Sequence, residues 1–297
     1  MATIGPLLAT ARLPFLALTP ACMVLGLATA IASGHDVPIA DVVIALLGGL
    51  AAHAAVNAFN EYFDFRSGLD LRTERTPFSG GSGALPANPA LAQATLAFAS
   101  LCLVFACGVG LHFLRLRGLA LLPIGLAGVA VVLAYTPWVT RQPAASLVAP
   151  GLGVGPLMVV GTHVALTGSH APAAWAASLV PFFLANGLLL LNQFPDVDAD
   201  RSVGRRHLPM LLGRPRAARL HAALLALAYL SLLGGIATGT LPAWSALGLL
   251  TAPLAVAVAI GARRHADDIP GLRPTMGLNV VVVLLTPVLT AAGILLA

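Results

Sequence analysis

Apolar residues in this chain run on uninterrupted for about twenty positions at a time. They neither alternate as in a strand nor fall into an amphipathic stripe. Nine such runs lie at about 14–33, 38–63, 90–113, 118–138, 145–167, 172–194, 217–239, 241–262 and 275–297. A helix needs about 20 apolar residues to cross the hydrocarbon core, so each run predicts a membrane-spanning helix. A transmembrane barrel would instead alternate over strands of about ten residues. The expected fold is all-α: a multi-pass membrane protein, a bundle of nine transmembrane helices. No polar insertion is long enough to form a second unit, so residues 1–297 are read as one domain.

Composition agrees. The 297 residues are 58% hydrophobic and only 9% charged, against about 25% charged in soluble domains. A soluble enzyme and a disordered chain are both excluded. Lysine is absent, and all sixteen basic residues are arginine. No basic, aromatic-studded soluble segment is present to bind nucleic acid. With nine spans, the N-terminus and every second loop share one side. That side takes fourteen arginines and the other only Arg115 and Arg117. Positive charge marks the cytoplasmic side, which predicts a cytoplasmic (inner) membrane protein with its N-terminus in the cytoplasm. Cys22, Cys102 and Cys107 lie in apolar runs, form no metal-ligand spacing and read as packing residues.

Nine of the eleven acids fall on the arginine-rich side, and seven of them in two short segments. The first acidic motif, 57–74, ends the second run. Asn57, Asn60, Glu61 and Asp64 stand at i, i+3, i+4 and i+7, one face of a helix, and the polar stripe continues to Asp70 and Glu74. The second, 192–206, ends the sixth run. Asn192, Asp196 and Asp200 are spaced by four, Asp198 points away, and Pro195 breaks the regular helix. A polar stripe in a membrane helix faces the bundle interior or a wet cavity.

Clustered carboxylates near lipid repel one another and need positive charge among them. Neighbouring arginines can supply it as a salt-bridged rim. A divalent cation can supply it too, and oxygen donors without a His/Cys cluster point to Mg2+. Magnesium is held by one or two carboxylates, and substrate phosphate oxygens complete its shell. Planar arginine forks then suit the remaining phosphate oxygens. The glycine-rich segment Ser79-Gly80-Gly81-Ser82-Gly83, beside these arginines, can turn backbone N–H groups toward an anion.

Asn60-Glu61-Tyr62-Phe63-Asp64-(x5)-Asp70 and Asp196-Val-Asp198-Ala-Asp200-(x3)-Gly204-Arg205 resemble the two Asp-rich motifs of the UbiA-type intramembrane prenyltransferases. Nine spans with motifs after the second and sixth also match. Gly68, Asp70 and the run Pro150–Pro156 are most similar to the 1,4-dihydroxy-2-naphthoate (menaquinone-pathway) branch. Glu61 stands where the family carries Asp, and Arg141 and Arg205 where lysine is expected. The resemblance implies Mg2+-dependent transfer of a prenyl group from a prenyl diphosphate to an aromatic acceptor, within the bilayer and without nucleic acid. Asp64, Asp196 and Asp200 become the catalytic acids. Asn60, Glu61, Asp64, Asp70, Asp196 and Asp200 become metal ligands. Arg66, Arg75, Arg141 and Arg205 become diphosphate contacts, and Asn57, Tyr62 and Tyr135 acceptor contacts. The alternatives are a non-aromatic acceptor or a cyclisation within the family. Outside it they are an ion-coupled transporter or a non-catalytic quinone- or lipid-binding protein.

Overall fold

The computed structural model describes residues 4–297, and all regular structure among them is helical. Two short helices, α1 (Ile4–Ala9) and α2 (Leu13–Leu16), lead into α3 (Leu18–Ala32) and α4 (Ile39–Ser67). A loop with the short α5 (Ala84–Ala87) follows, then α6 (Ala92–Arg117) and α7 (Leu122–Ala134). Next come α8 (Pro143–Leu152), a π-helical stretch over Gly153–Val160, α9 (Gly161–Thr167) and α10 (Pro172–Asn192). The chain continues through α11 (Val197–Ser202), α12 (Leu208–Leu212), α13 (Arg214–Ala237), α14 (Ala252–Arg264) and α15 (Ile269–Leu295).

Each apolar run carries helix, but the nine are not equal. Among the described residues eight segments are long and apolar enough to cross a membrane, whereas the run at 118–138 yields only the helix Leu119–Ala134. At about 1.5 Å per residue it covers about 24 Å, short of a hydrocarbon core of about 30 Å. Left-handed Gly118 starts it, and the turn before Pro137 ends it. None of the residues of α7 is buried.

Close packing comes from small residues, as expected where apolar burial gives helices no preference over lipid. Gly26 of α3 faces the backbone of Val159 and His163, and a Cβ there would approach Thr162 Cβ to 2.7 Å. Gly155 lies against α10, where an added Cβ would meet Ser178 O at 2.6 Å and Phe182 Cα at 2.9 Å. Pro150 and Pro156 both lie within this fifth span. Neither has an N–H for the regular ladder, and the backbone between and after them takes the wider π spacing. The largest core cluster joins α3, the π stretch, α10, α13, α14 and α15, and α10 is the most buried span. Hydroxyls add polar links: Tyr229 to Thr251 at 2.9 Å and Thr251 to Thr286 at 2.7 Å. The bundle leaves a gap between α3, α4, α6, α7 and the fifth span, and the C-terminal end of α10 faces its mouth.

Candidate active site

That gap is a cavity of about 600 Å3. Its body is apolar, with walls that include Met23, Val109, Leu121, Val132, Leu157 and Met158. Its mouth holds Asp64, Asp70, Asp196 and Asp200 together, with Arg12, Arg205, Asn192 and His207. The two acidic motifs thus converge, although more than a hundred residues separate them.

The first motif is delivered by α4. His53, Asn57, Asn60 and Asp64 follow one another at helical spacing and all line the cavity. Asn57 Nδ2 donates to Ala11 O at 2.9 Å and Asn60 Nδ2 to Thr136 Oγ1 at 3.3 Å. Left-handed Gly68 caps α4, its N–H donating to Asp64 O and Phe65 O, and the chain then folds back to bring Asp70 in. The second motif follows α10, which stops at Asn192, just ahead of Pro195. The chain turns through Gln193–Asp196, and α11 carries Asp200, whose N–H donates to Asp196 O at 2.8 Å.

Arg205 ties the motifs together. Its Nη2 contacts Oδ1 of Asp64, and its Nη1 donates to Oδ1 of Asp200 at 3.1 Å. The salt-bridge reading therefore holds for this arginine. It leaves other polar atoms unanswered: Oδ2 of Asp70, Oδ1 of Asp196 and both side-chain polar atoms of Asn192 are buried without a partner among the described residues. Burial, then the charges of Asp64 and Glu61, push the Asp70 carboxyl up to about 7. Burial, then Asp200, does the same for Asp196. Such atoms call for a cation, and their oxygen chemistry fits magnesium. Among the described residues no three His, Cys, Asp or Glu side chains form a ready-made metal cluster. A cation here would take one or two carboxylates and rely on ligand oxygens for the rest, as magnesium does.

The other expected residues divide. Tyr135 lines the cavity, but Tyr62 does not and instead packs edge-on against Phe63. Arg66, Arg75 and Arg141 are exposed and outside the cavity lining. An arginine near a motif in sequence need not point with it: Arg66 lies two residues from Asp64, on a different side of α4. The Arg75 guanidinium instead packs over Gly83, whose left-handed backbone (φ +77) leaves no room for a Cβ. The Asp198 side chain is 84% exposed, pairs with Arg201 at 3.8 Å and, as its spacing implies, points away.

Glu61 lies off the cavity lining. Its Oε1 accepts from Arg12 Nε at 2.7 Å and from the Ser82 N–H at 2.7 Å, and its Oε2 from Ser82 Oγ at 2.6 Å. It serves as the anion of the glycine-rich segment, not as a cavity ligand. The segment is a folded turn: Thr76 Oγ1 takes the N–H groups of Phe78 and Ser79. Gly81 (φ +75) passes so near the acids that a Cβ would stand 3.0 Å from Asp70 Oδ1.

Sequence reasoning did not single out Arg12 or His207 at the cavity. Arg12 was visible only as one of many positive charges, and His207 carried no spacing signal.

The UbiA prenyltransferase family model matches residues 17–292. The 1,4-dihydroxy-2-naphthoate octaprenyltransferase of Bacillus subtilis (strain 168) is 30% identical over 206 residues, covering 67% of this chain and 63% of that protein. The enzyme of the same name from Escherichia coli (strain K12) is 28% identical over 298 residues, covering 93% and 91%. Among solved structures, an apo UbiA homolog from Aeropyrum pernix K1 superposes with a TM-score of 0.69 at 21% identity, covering 95% of this chain and 98% of that one. A UbiA homolog from Archaeoglobus fulgidus bound to GPP and Mg2+ gives 0.60 at 15% identity, covering 98% and 100%. With a model match over nearly its whole length, the chain belongs to the UbiA prenyltransferase family.

Proposed function

We propose that this protein transfers a prenyl group from a polyprenyl diphosphate to an aromatic quinone precursor of the 1,4-dihydroxy-2-naphthoate type, with Mg2+ as cofactor. The observation that carries the reading is the convergence of Asp64, Asp70, Asp196 and Asp200 at the mouth of one apolar cavity. The names of the relatives supply the acceptor class, and the GPP and Mg2+ held by a structural neighbour supply the donor chemistry.

In this reading Asn60, Asp64, Asp70, Asp196 and Asp200 hold the metal, with Asn192 beside them. Bound magnesium supplies positive charge against the diphosphate as it departs. Arg12 and Arg205 grip phosphate oxygens at the mouth. The apolar walls take the isoprenoid tail and keep water from the allylic carbon. The allylic C–O bond breaks with its electron pair going to the diphosphate. A ring carbon of the acceptor supplies the electrons of the new C–C bond, and the ring proton is lost. Asn57 and the Tyr135 hydroxyl orient the acceptor, and the Tyr135 ring faces the developing cation. Arg66, Arg75 and Arg141 attract the anionic substrate at the rim.

The whole chain acts as one domain in the cytoplasmic membrane, with the N-terminus and the cavity mouth on the cytoplasmic side. The short helix Leu119–Ala134 counts as a ninth crossing, because only nine crossings keep fourteen arginines on one face.

The test is direct. Detergent-purified protein, octaprenyl diphosphate, 1,4-dihydroxy-2-naphthoate and Mg2+ are expected to yield a prenylated product by mass spectrometry. EDTA abolishes it and added magnesium restores it. Asp64→Asn and Asp196→Asn each lose turnover while purifying normally. Product formation indifferent to the chelator, or full activity in either variant, would refute the ion-held diphosphate.

A further inference from the structure

His207 precedes α12 at the cavity wall, with 2% of its surface exposed. Its Nε2 lies 3.0 Å from Oδ2 of Asp200. A carboxylate only accepts, so the imidazole carries its N–H at Nε2. Nδ1 has no partner among the described residues, so the contact with Asp200 is the one side-chain hydrogen bond of the ring there. The other Asp200 oxygen, Oδ1, accepts from Arg205. The backbone holds the group in place as well: the Arg205 N–H donates to the Asp200 carbonyl at 3.1 Å and the Arg206 N–H to Thr140 O at 3.2 Å.

Arg205 has two tasks that conflict. In the structure it is the counter-charge of Asp64 and Asp200. In the proposed reaction those carboxylates face a metal and Arg205 faces the diphosphate. When the guanidinium turns to phosphate oxygens, Oδ1 of Asp200 loses its partner, and only Oδ2 remains anchored.

We propose that His207 is a positioning residue for the second acidic motif: its Nε2–H holds Oδ2 of Asp200, so that Oδ1 keeps its aim into the cavity whether it meets Arg205 or a divalent cation. The inference rests on the magnesium–diphosphate reading above. Hydrogen-bond partners behind a metal ligand are typically worth 10–100-fold in metal affinity, because they fix the ligand's orientation before the ion arrives.

Manganese binding tests this without turnover. The full chain in detergent is titrated with Mn2+ in the presence of inorganic pyrophosphate, without acceptor, and free Mn2+ is read by electron paramagnetic resonance. His207→Ala is expected to weaken binding by about tenfold or more. His207→Gln, whose amide nitrogen reaches the level of Nε2, is expected to restore it close to wild type. His207→Asn, whose amide stops at the level of Nδ1, is expected to behave like alanine. The Gln and Asn variants should melt alike without metal, so their comparison decides the matter even where alanine fails to fold. Equal manganese affinity in wild type and the Asn variant, or equal weakness in Gln and Asn, would overturn the inference alone. Absence of manganese binding in the wild type would overturn the magnesium reading and this inference with it.

Discussion

Arg12 is the single described non-glycine residue with positive φ, at 52°. A side chain in that region costs about 1 kcal/mol, so the surroundings must hold it there. They do so through Glu61, which binds Arg12 Nε and is itself fixed by Ser82, and through Asn57, which binds the carbonyl of Ala11. Glu61→Leu would leave the guanidinium without its partner and free the glycine-rich turn. Removing one member of a buried pair costs about 3–5 kcal/mol. The Arg12 side chain is 23% exposed, which favours the low end, a loss of about 3 kcal/mol read as a lowered melting temperature in detergent. Arg12→Gln is expected to raise KM for the prenyl diphosphate more than it lowers kcat, because in the proposed reaction the arginine grips the phosphates before and during departure alike. A kcat loss with unchanged KM would instead assign it to the transition state alone. At this scale spacing made some of the site legible and hid the rest. Asn57, Asn60 and Asp64 share a face because a helix repeats every 3.6 residues. Glu61, inside the same spacing, was drawn away by an arginine forty-nine positions earlier, and no local rule links residues 12 and 61.

Among the elements, the spans were legible because the bilayer demands long apolar runs. What hydropathy cannot encode is how closely two of them approach. Gly151 and Gly155, one turn apart, both face α10 within reach of its backbone, and this contact fixes α10 relative to the fifth span and so aims the second motif. The π stretch was equally invisible, since it changes hydrogen-bond spacing and not composition. Gly155→Leu cannot be relieved by a rotamer change, because its neighbours are Ser178 O and Phe182 Cα. Overpacking of this kind costs about 1–3 kcal/mol. The variant is expected to melt earlier and to lose activity through a displaced Asp196, whereas Gly108→Ala, with nothing within 4 Å of its added Cβ, is expected to leave both unchanged. Thermal unfolding by gel filtration of the two variants checks this.

Across the whole molecule, the cavity relates the acidic mouth to the apolar interior of the bundle. Asp64, Ala52 and Ala45 all line it from α4, so at 1.5 Å per residue it runs about 28 Å along that helix. Its far end is closed by Phe113, 1% exposed and packed with Met23, Ala45 and Ala165. Leu111 of α6 and Leu122 and Leu126 of α7 line the cavity and are exposed. In the proposed reaction a diphosphate gripped at Asp64 would send its tail past Ala52, about 18 Å deeper. Ala52→Phe narrows this passage beyond the reach of a two-isoprene tail but across the path of an eight-isoprene one. An obstruction worth about 1.4 kcal/mol lowers kcat/KM tenfold, well within the cost of overpacking a fitted cavity. The variant is expected to lose at least that factor with octaprenyl diphosphate and to keep its rate with geranyl diphosphate, measured side by side on the same acceptor. Undiminished rates on both donors would mean that the tail does not descend along α4.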